Sequence, residues 1–278
     1  NVVWKNSGTT LFDIGDGVLN LEFHTKMNSI GGEVLEGINK AIDVAENEGW
    51  KGLVIGNNGQ HFSAGANIAM MLMLAIEEEW DELDFAIRMF QKTVSRLRFS
   101  SIPTIMAPHS LCLGGGCELA MHADQVVAAA ETYIGLVEVG VGLIPGGGGT
   151  KEFTVRFSDA IESGDVELNA LQSRLLTIAQ AKVATSGQEA KELGILRPSN
   201  LISVNLDRRL KDAKTEAIRL FDEGYTQPLM REDIKVLGRT GLGLAYSGVY
   251  AMYAAGYISE HDMKVAKKVA YVMCGGDL

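Results

Sequence analysis

Two glutamates and the glycines around them are the residues of this chain best suited to chemistry. Glu118 lies two residues past the run Gly114-Gly115-Gly116, and Glu138 lies in Leu136-Val137-Glu138-Val139-Gly140, shortly before Pro145 and Gly146–Gly149. Two carboxylates flanking one water can share general acid and general base work, each worth about 10²–10⁴-fold. Glycine beside them lets the main chain approach a substrate closely and adopt dihedrals that other residues avoid. Each acid also has an ordinary explanation. Glu118 suits a helix N-terminus, where the dipole favours an acid, and Glu138 alone would pass for an exposed carboxylate at a strand end.

Alternating strands and helices must position these groups. Val2–Trp4 and Thr10–Ile14 read as short strands, and Val18–Phe23 alternates apolar and polar residues at a period of two. Val34, Leu35, Ile38, Ala41, Ile42 and Ala45 form one apolar stripe at helical spacing. Gly52–Gly56 and Pro103–Ala107 are short apolar runs of the kind found in buried strands. Residues 57–66 read as a loop and about 68–98 as one long helix; a further helix starts after Gly116, and Asp124–Ala129 is the next strand. This alternation predicts an α/β arrangement with helices covering sheets. Past about residue 150 the pattern turns helical, with segments at 158–176, 187–194, 206–222 and 259–274 separated by turns at 197–200 and 224–228. No function is read from residues 153–180.

Bulk properties narrow the classes. A chain of 278 residues can form one large domain, or one with a small appendage. A net charge of −10 argues against a nucleic-acid partner, which needs a concentrated basic face. A phosphate-bearing ligand needs only a local cationic patch. Lys264, Lys267 and Lys268 are candidates for one, against the plainer reading of a solvated basic helix face. The cysteines, Cys112, Cys117 and Cys274, form no disulfide framework and fit a reducing, cytoplasmic setting. Neither a signal peptide nor an apolar run of membrane-spanning length is expected. Thr150-Lys151 after the glycines inverts the order that a phosphate loop requires, and no dinucleotide fingerprint follows a strand. His109, Cys112, Cys117 and His122 do not have zinc spacing, so no metal is expected. His61 reads as a loop or packing histidine. Met70, Met71 and Met73 read as core filler.

Three segments carry a resemblance in their order and spacing: His61-Phe62-Ser63-Ala64-Gly65-Ala66-Asn67-Ile68, Leu113-Gly114-Gly115-Gly116-Cys117-Glu118-Leu119-Ala120, and Ile134–Pro145 running into Gly146–Gly149 and Thr150. With Lys26-Met27-Asn28-Ser29-Ile30 before them and Ala181–Leu196 after them, the chain resembles the crotonase (enoyl-CoA hydratase/isomerase) superfamily over about its first two thirds. The resemblance implies a crotonase-like spiral of ββα units over residues 1–198, followed by a helical C-terminal region over 199–278 that the sequence cuts short. It implies hydration of trans-2-enoyl-CoA, with Glu118 activating the water and Glu138 exchanging the proton at the α-carbon. The N–H groups of Ala66 and Gly115 would form the oxyanion hole. Lys26, Met27, Ala64, Asn67 and Ile68 would run along coenzyme A, and the methionines after them could line an acyl pocket. Coenzyme A enters as part of the substrate, and no separate cofactor is implied. An isomerase using the same hole, or a non-catalytic acyl-CoA-binding or assembly module, are the competing readings. Two carboxylates favour the hydratase.

The chain departs from the family pattern at Asn67, where aspartate is frequent, at His109-Ser110, where Asn-Gly is frequent, and at Leu136-Val137, where Gln-Pro is frequent. These changes leave both carboxylates in place and bear on pocket shape and acyl preference. The helical tail, with the start at Asn1 and the end at Leu278, resembles the hydratase-like part of bacterial fusions with 3-hydroxyacyl-CoA dehydrogenase. The resemblance therefore implies a covalently linked dehydrogenase domain and a homo-oligomer, a trimer or a multiple of one.

Overall fold

The computed structural model describes residues 1–162 and 164–276. Ser163, inside the helix expected at 158–176, and the terminal Asp277-Leu278 lie outside the described residues. The strands are β1 (Val2–Lys5), β2 (Thr9–Asp13), β3 (Val18–Phe23), β4 (Gly52–Ile55), β5 (Thr104–Met106), β6 (Ser110–Leu113), β7 (Gln125–Ala129), β8 (Thr132–Gly135) and β9 (Leu201–Ser203). The helices are α1 (Gly32–Asn47), α2 (Ile68–Ile76), α3 (Trp80–Arg98), α4 (Gly115–His122), α5 (Gly149–Ala160), α6 (Glu167–Ala179), α7 (Gly187–Glu192), α8 (Arg209–Asp222), α9 (Gly238–Ala254) and α10 (Glu260–Met273).

The main sheet runs in the order β1-β2-β3-β4-β5-β7-β9, and β6 pairs with β8 in a second, two-stranded sheet. The first three strands are antiparallel, joined by tight turns such as Gly15-Asp16-Gly17, where all three residues have positive φ. From β3 onward the pairing is parallel, because each return passes through a helix. The stripe predicted for α1 is the face it buries, with Ile38, Ala41, Ile42 and Ala45 fully enclosed. One large apolar core joins α1, α3, α4 and α5 to one side of the strands. A smaller core on the other side packs Val18, Val54, Ile105, Ala107 and Val127 against Ala213 and Ala217 of α8.

The structure corrects four expectations. The single helix expected over 68–98 is two, broken at Glu77–Glu79, where Glu78 takes a φ of 57°. Residues 158–176 are the end of α5 and most of α6 rather than one helix. The seventh strand of the main sheet, β9, lies beyond residue 198 in a region read as helical. The methionines of α2 are not core filler, since that helix buries no residue and Met73 is 61% exposed. Its apolar residues surround the helix instead of forming one stripe, so packing on one side leaves the rest in solvent.

Candidate active site

The candidate site forms where residues 26–30, 63–67 and 111–115 meet. Ser63 N–H donates to the Leu111 carbonyl at 2.9 Å, and Leu113 N–H donates back to the Ser63 carbonyl at 3.0 Å. On the other edge Ile30 forms a parallel bridge with Ala66: its N–H donates to Gly65 at 2.8 Å, and its carbonyl accepts from Asn67 at 3.2 Å. In such a bridge the N–H of the facing residue points away from its partner. The Ala66 N–H is therefore turned toward α4. Gly115, the first residue of α4, has an N–H with no acceptor inside the helix. The two nitrogens are neighbours: a Cβ on Gly115 would lie 3.4 Å from Ala66 N, and a Cβ on Gly65 would lie 3.4 Å from Gly115 N. Gly65 itself has a φ of +98° and would press a Cβ to 2.9 Å from the Leu113 carbonyl, so only glycine fits there.

Both glutamates reach this place. Glu118, in the first turn of α4, is 3% exposed. Its Oε1 accepts from Gly149 N–H at 2.8 Å, and Gly147 N–H supports the same carboxylate. Glu138 opens the 3-10 turn Glu138–Val141, beside the N-terminus of α4. A Cβ on Gly114 would lie 3.1 Å from its Oε1, and its Oε2 is buried without a hydrogen-bond partner among the described residues. Burial pushes the Glu118 carboxyl above its ordinary range, and the N–H groups of Gly149 and Gly147 pull it partly back. Burial raises Glu138 as well, and the negative charge of Glu118 raises it further. Main-chain N–H groups support both carboxylates, those of Gly149 and Gly147 for Glu118 and those of Val137 and Glu138 for Glu138, but the charge of Glu118 bears on Glu138 as well as burial, so Glu138 holds its proton the more tightly of the two.

The other residues singled out in the sequence divide by role. Ala64 N–H donates to the Met27 carbonyl at 3.1 Å, which joins the segment carrying Lys26 and Met27 to the segment carrying Ala64. Asn67 caps α2 by accepting from Met70 N–H at 3.2 Å, and Ile68 begins that helix 48% exposed. Lys26, Met27, Ala64, Asn67 and Ile68 thus flank the Ile30–Ala66 bridge. His61 Nδ1 is 2.8 Å from Ser110 Oγ, and Ser110 holds a φ of 49° at the position where the family pattern favours glycine. His109 Nε2 donates to the Gly59 carbonyl at 2.7 Å, Lys267 lies over the Tyr246 ring, and Cys112 and Cys117 are fully enclosed. Sequence reasoning did not find Phe90 of α3. Its ring would meet a Cβ on Gly115 at 3.1 Å and one on Gly147 at 2.5 Å, so it walls both ends of the site. The signal was weak: Phe90 shares a helical stripe with Val94 and Leu97, which reads as ordinary core.

Comparison with known proteins follows this geometry. A family model described as "Enoyl-CoA hydratase/isomerase" matches residues 13–163. The chain belongs to this family. A Bacillus subtilis (strain 168) protein named as a probable 3-hydroxyacyl-CoA dehydrogenase is 47% identical over 275 residues, covering 99% of this chain and 34% of its own length. The chain therefore spans about a third of that relative. An enoyl-CoA hydratase from Polaromonas sp. JS666 superposes with a TM-score of 0.64 at 20% identity, over 95% of this chain and 90% of its own. An enoyl-CoA hydratase from Bacillus anthracis gives 0.63 at 20% identity, over 96% and 90%. At these identities the two structures establish the crotonase fold. Among the described residues, no helix is long and apolar enough to cross a membrane.

Proposed function

We propose that this chain hydrates trans-2-enoyl-CoA thioesters to 3-hydroxyacyl-CoA. The observation that supports it best is the placing of two buried carboxylates, both raised by burial, beside two neighbouring main-chain donors, Ala66 N–H and Gly115 N–H. Water adds through its oxygen to the β-carbon, and ionised Glu118 takes the proton released. Negative charge moves to the thioester oxygen, where the two N–H groups receive it; such a donor is worth about 10²–10³ in rate. The α-carbon takes its proton from Glu138. One hydrogen and one hydroxyl are added, and Glu118 ends protonated with Glu138 ionised, reset by exchange with solvent. Coenzyme A is carried as part of the substrate along Lys26, Met27, Ala64, Asn67 and Ile68. The step as written uses no metal or redox group.

The name of the Bacillus subtilis relative supports a place for this product. A 3-hydroxyacyl-CoA dehydrogenase consumes 3-hydroxyacyl-CoA, so hydration here would feed dehydrogenation on a linked module. The test is loss of the conjugated absorbance of crotonyl-CoA and of a longer enoyl-CoA, with the wild-type chain and with Glu138→Gln. Turnover that collapses in the variant is expected. A well-folded wild-type chain that binds acyl-CoA without turnover would refute the hydratase.

A further inference from the structure

We infer that His122 is the positioning residue that holds Glu118 in register with the glycine turn bonded to its carboxylate. This rests on the hydratase reading of that site. His122 follows Glu118 by one helical turn of α4, and its ring is fully enclosed. Nδ1 donates to the Glu118 carbonyl at 2.7 Å. On its other edge the ring fills the space where Gly148 has no side chain: a Cβ there would lie 2.8 Å from Cε1 and 2.9 Å from Nε2. Gly148, at a φ of +116°, lies between the two residues whose N–H groups serve the Glu118 carboxylate. One imidazole thus touches both the backbone of Glu118 and the turn that cradles its side chain.

Beyond the ring stands a carboxylate that does not hydrogen-bond to it: burial holds the imidazole down to about 3, so it is neutral, and Nε2 has no partner among the described residues. Nε2 lies 3.6 Å from Glu152 Oε1, and Glu152 N–H closes the first turn of α5 onto the Gly148 carbonyl at 2.9 Å. Charged groups face this corner from every side: Glu152, Lys151 and Arg156 from α5, Arg98 from α3, and Arg197 from the turn after α7. Glu118 itself faces Glu138. A glycine turn has no side chains with which to hold its own shape and loses the most freedom on ordering. The flat ring supplies that support. Without it the Gly147 and Gly149 donors drift from the carboxylate, whose affinity for its proton then rises. Its hydrogen bond to Glu118 and its contact with Gly148 involve neither the Ala66–Gly115 donors nor the segments that flank the Ile30–Ala66 bridge, so acyl-CoA binding should not depend on His122.

The experiment compares His122→Met, which keeps volume without a donor, with His122→Asn, whose amide can restore the bond to the Glu118 carbonyl. The Met variant is expected to lose kcat by about 10- to 100-fold, the order expected for a misplaced catalytic group. Its KM for crotonyl-CoA should stay within about twofold and its acid limb should move to higher pH, while the Asn variant recovers most of both. His122→Leu serves in the same comparison if the Met protein does not fold. A folded Met or Leu variant with wild-type kcat and acid limb overturns the inference. So does a variant that loses kcat with an unmoved limb and no recovery by Asn, since the ring would then be packing alone. Titration of the Glu118 carboxylate by infrared spectroscopy, assigned by its absence in Glu118→Gln, gives a readout independent of turnover. A wild type without hydratase activity would sink the reaction, whereas an unmoved Glu118 titration in the Met variant would sink the role of His122.

Discussion

Replacing Glu152 by glutamine should cost this protein much of its stability, and the cost should vanish in acid. Glu152 is 1% exposed, and its carboxylate meets Arg98, Lys151 at 2.7 Å, His122 at 3.6 Å and Arg197 at 3.8 Å. Burial alone would raise the carboxyl. His122, which becomes cationic only near pH 3, together with the cations Arg98, Lys151 and Arg156, outweighs burial and holds it down to about 2, against an ordinary value of 4.5. A fall from 4.5 to about 2, at about 1.36 kcal/mol per unit, amounts to about 3 kcal/mol of stability from the ionised form. The folded value is depressed, so this contribution is complete above pH 4.5 and fades as the pH falls toward 2. Glutamine has the same shape without the charge, and it also leaves Arg98 and Arg156 without their buried counter-ion. Urea unfolding of both proteins at pH 7, 5, 4 and 3 measures the gap. About 3 kcal/mol or more is expected at pH 7, shrinking steadily below pH 4.5. A gap that is small at pH 7, or that stays constant into acid, would refute the reasoning.

Three further outcomes follow from the same geometry. The pH profile of kcat should be a bell with both limbs above the ordinary carboxylate range, because Glu118 must be ionised and Glu138 protonated and both are raised by burial; steady activity down to pH 5 would contradict it. Glu138→Gln should lose turnover by about 10²-fold or more, yet its melting temperature relative to wild type should rise between pH 5 and pH 9. The sign follows from a folded value above the unfolded one, which costs stability as the pH climbs past 4.5, and a melting difference that ignores pH would count against it. Gly65→Ala should destabilise the fold by about 1–3 kcal/mol through its positive φ and its contact with the Leu113 carbonyl. It should also reduce kcat by about 10²-fold or more as the Ala66 N–H moves, and intact kcat in a destabilised protein would separate that N–H from catalysis.

The place of the candidate site was easier to read in sequence than the scaffold around it. Glu118, Glu138, Gly115 and Ala66 stand in compact motifs, and folding brings them together. The stripe of α1 and the alternation of β3 were legible because each is long enough to show its period. Strands β6, β8 and β9 have three or four residues each and show no period. The break between α2 and α3 is made by Glu78 in a left-handed conformation, without the glycine or proline that marks most turns. Helix α5 begins at Gly149, inside a run that composition marks as loop. Phe90 and His122 were invisible as site residues because each acts by lying against a glycine distant in sequence, where the glycine leaves only an empty space to be filled.

The donor pair at Ala66 and Gly115 has an evolutionary consequence. Both groups are main chain, so only a change to proline deletes one outright, and every other substitution can only displace it, directly or through close neighbours such as Gly65. The carboxylates are the opposite: one base change can remove or replace either glutamate. A lineage built on this scaffold can therefore keep its donor pair while changing the carboxylates beside it, and diverge in reaction without having to refold.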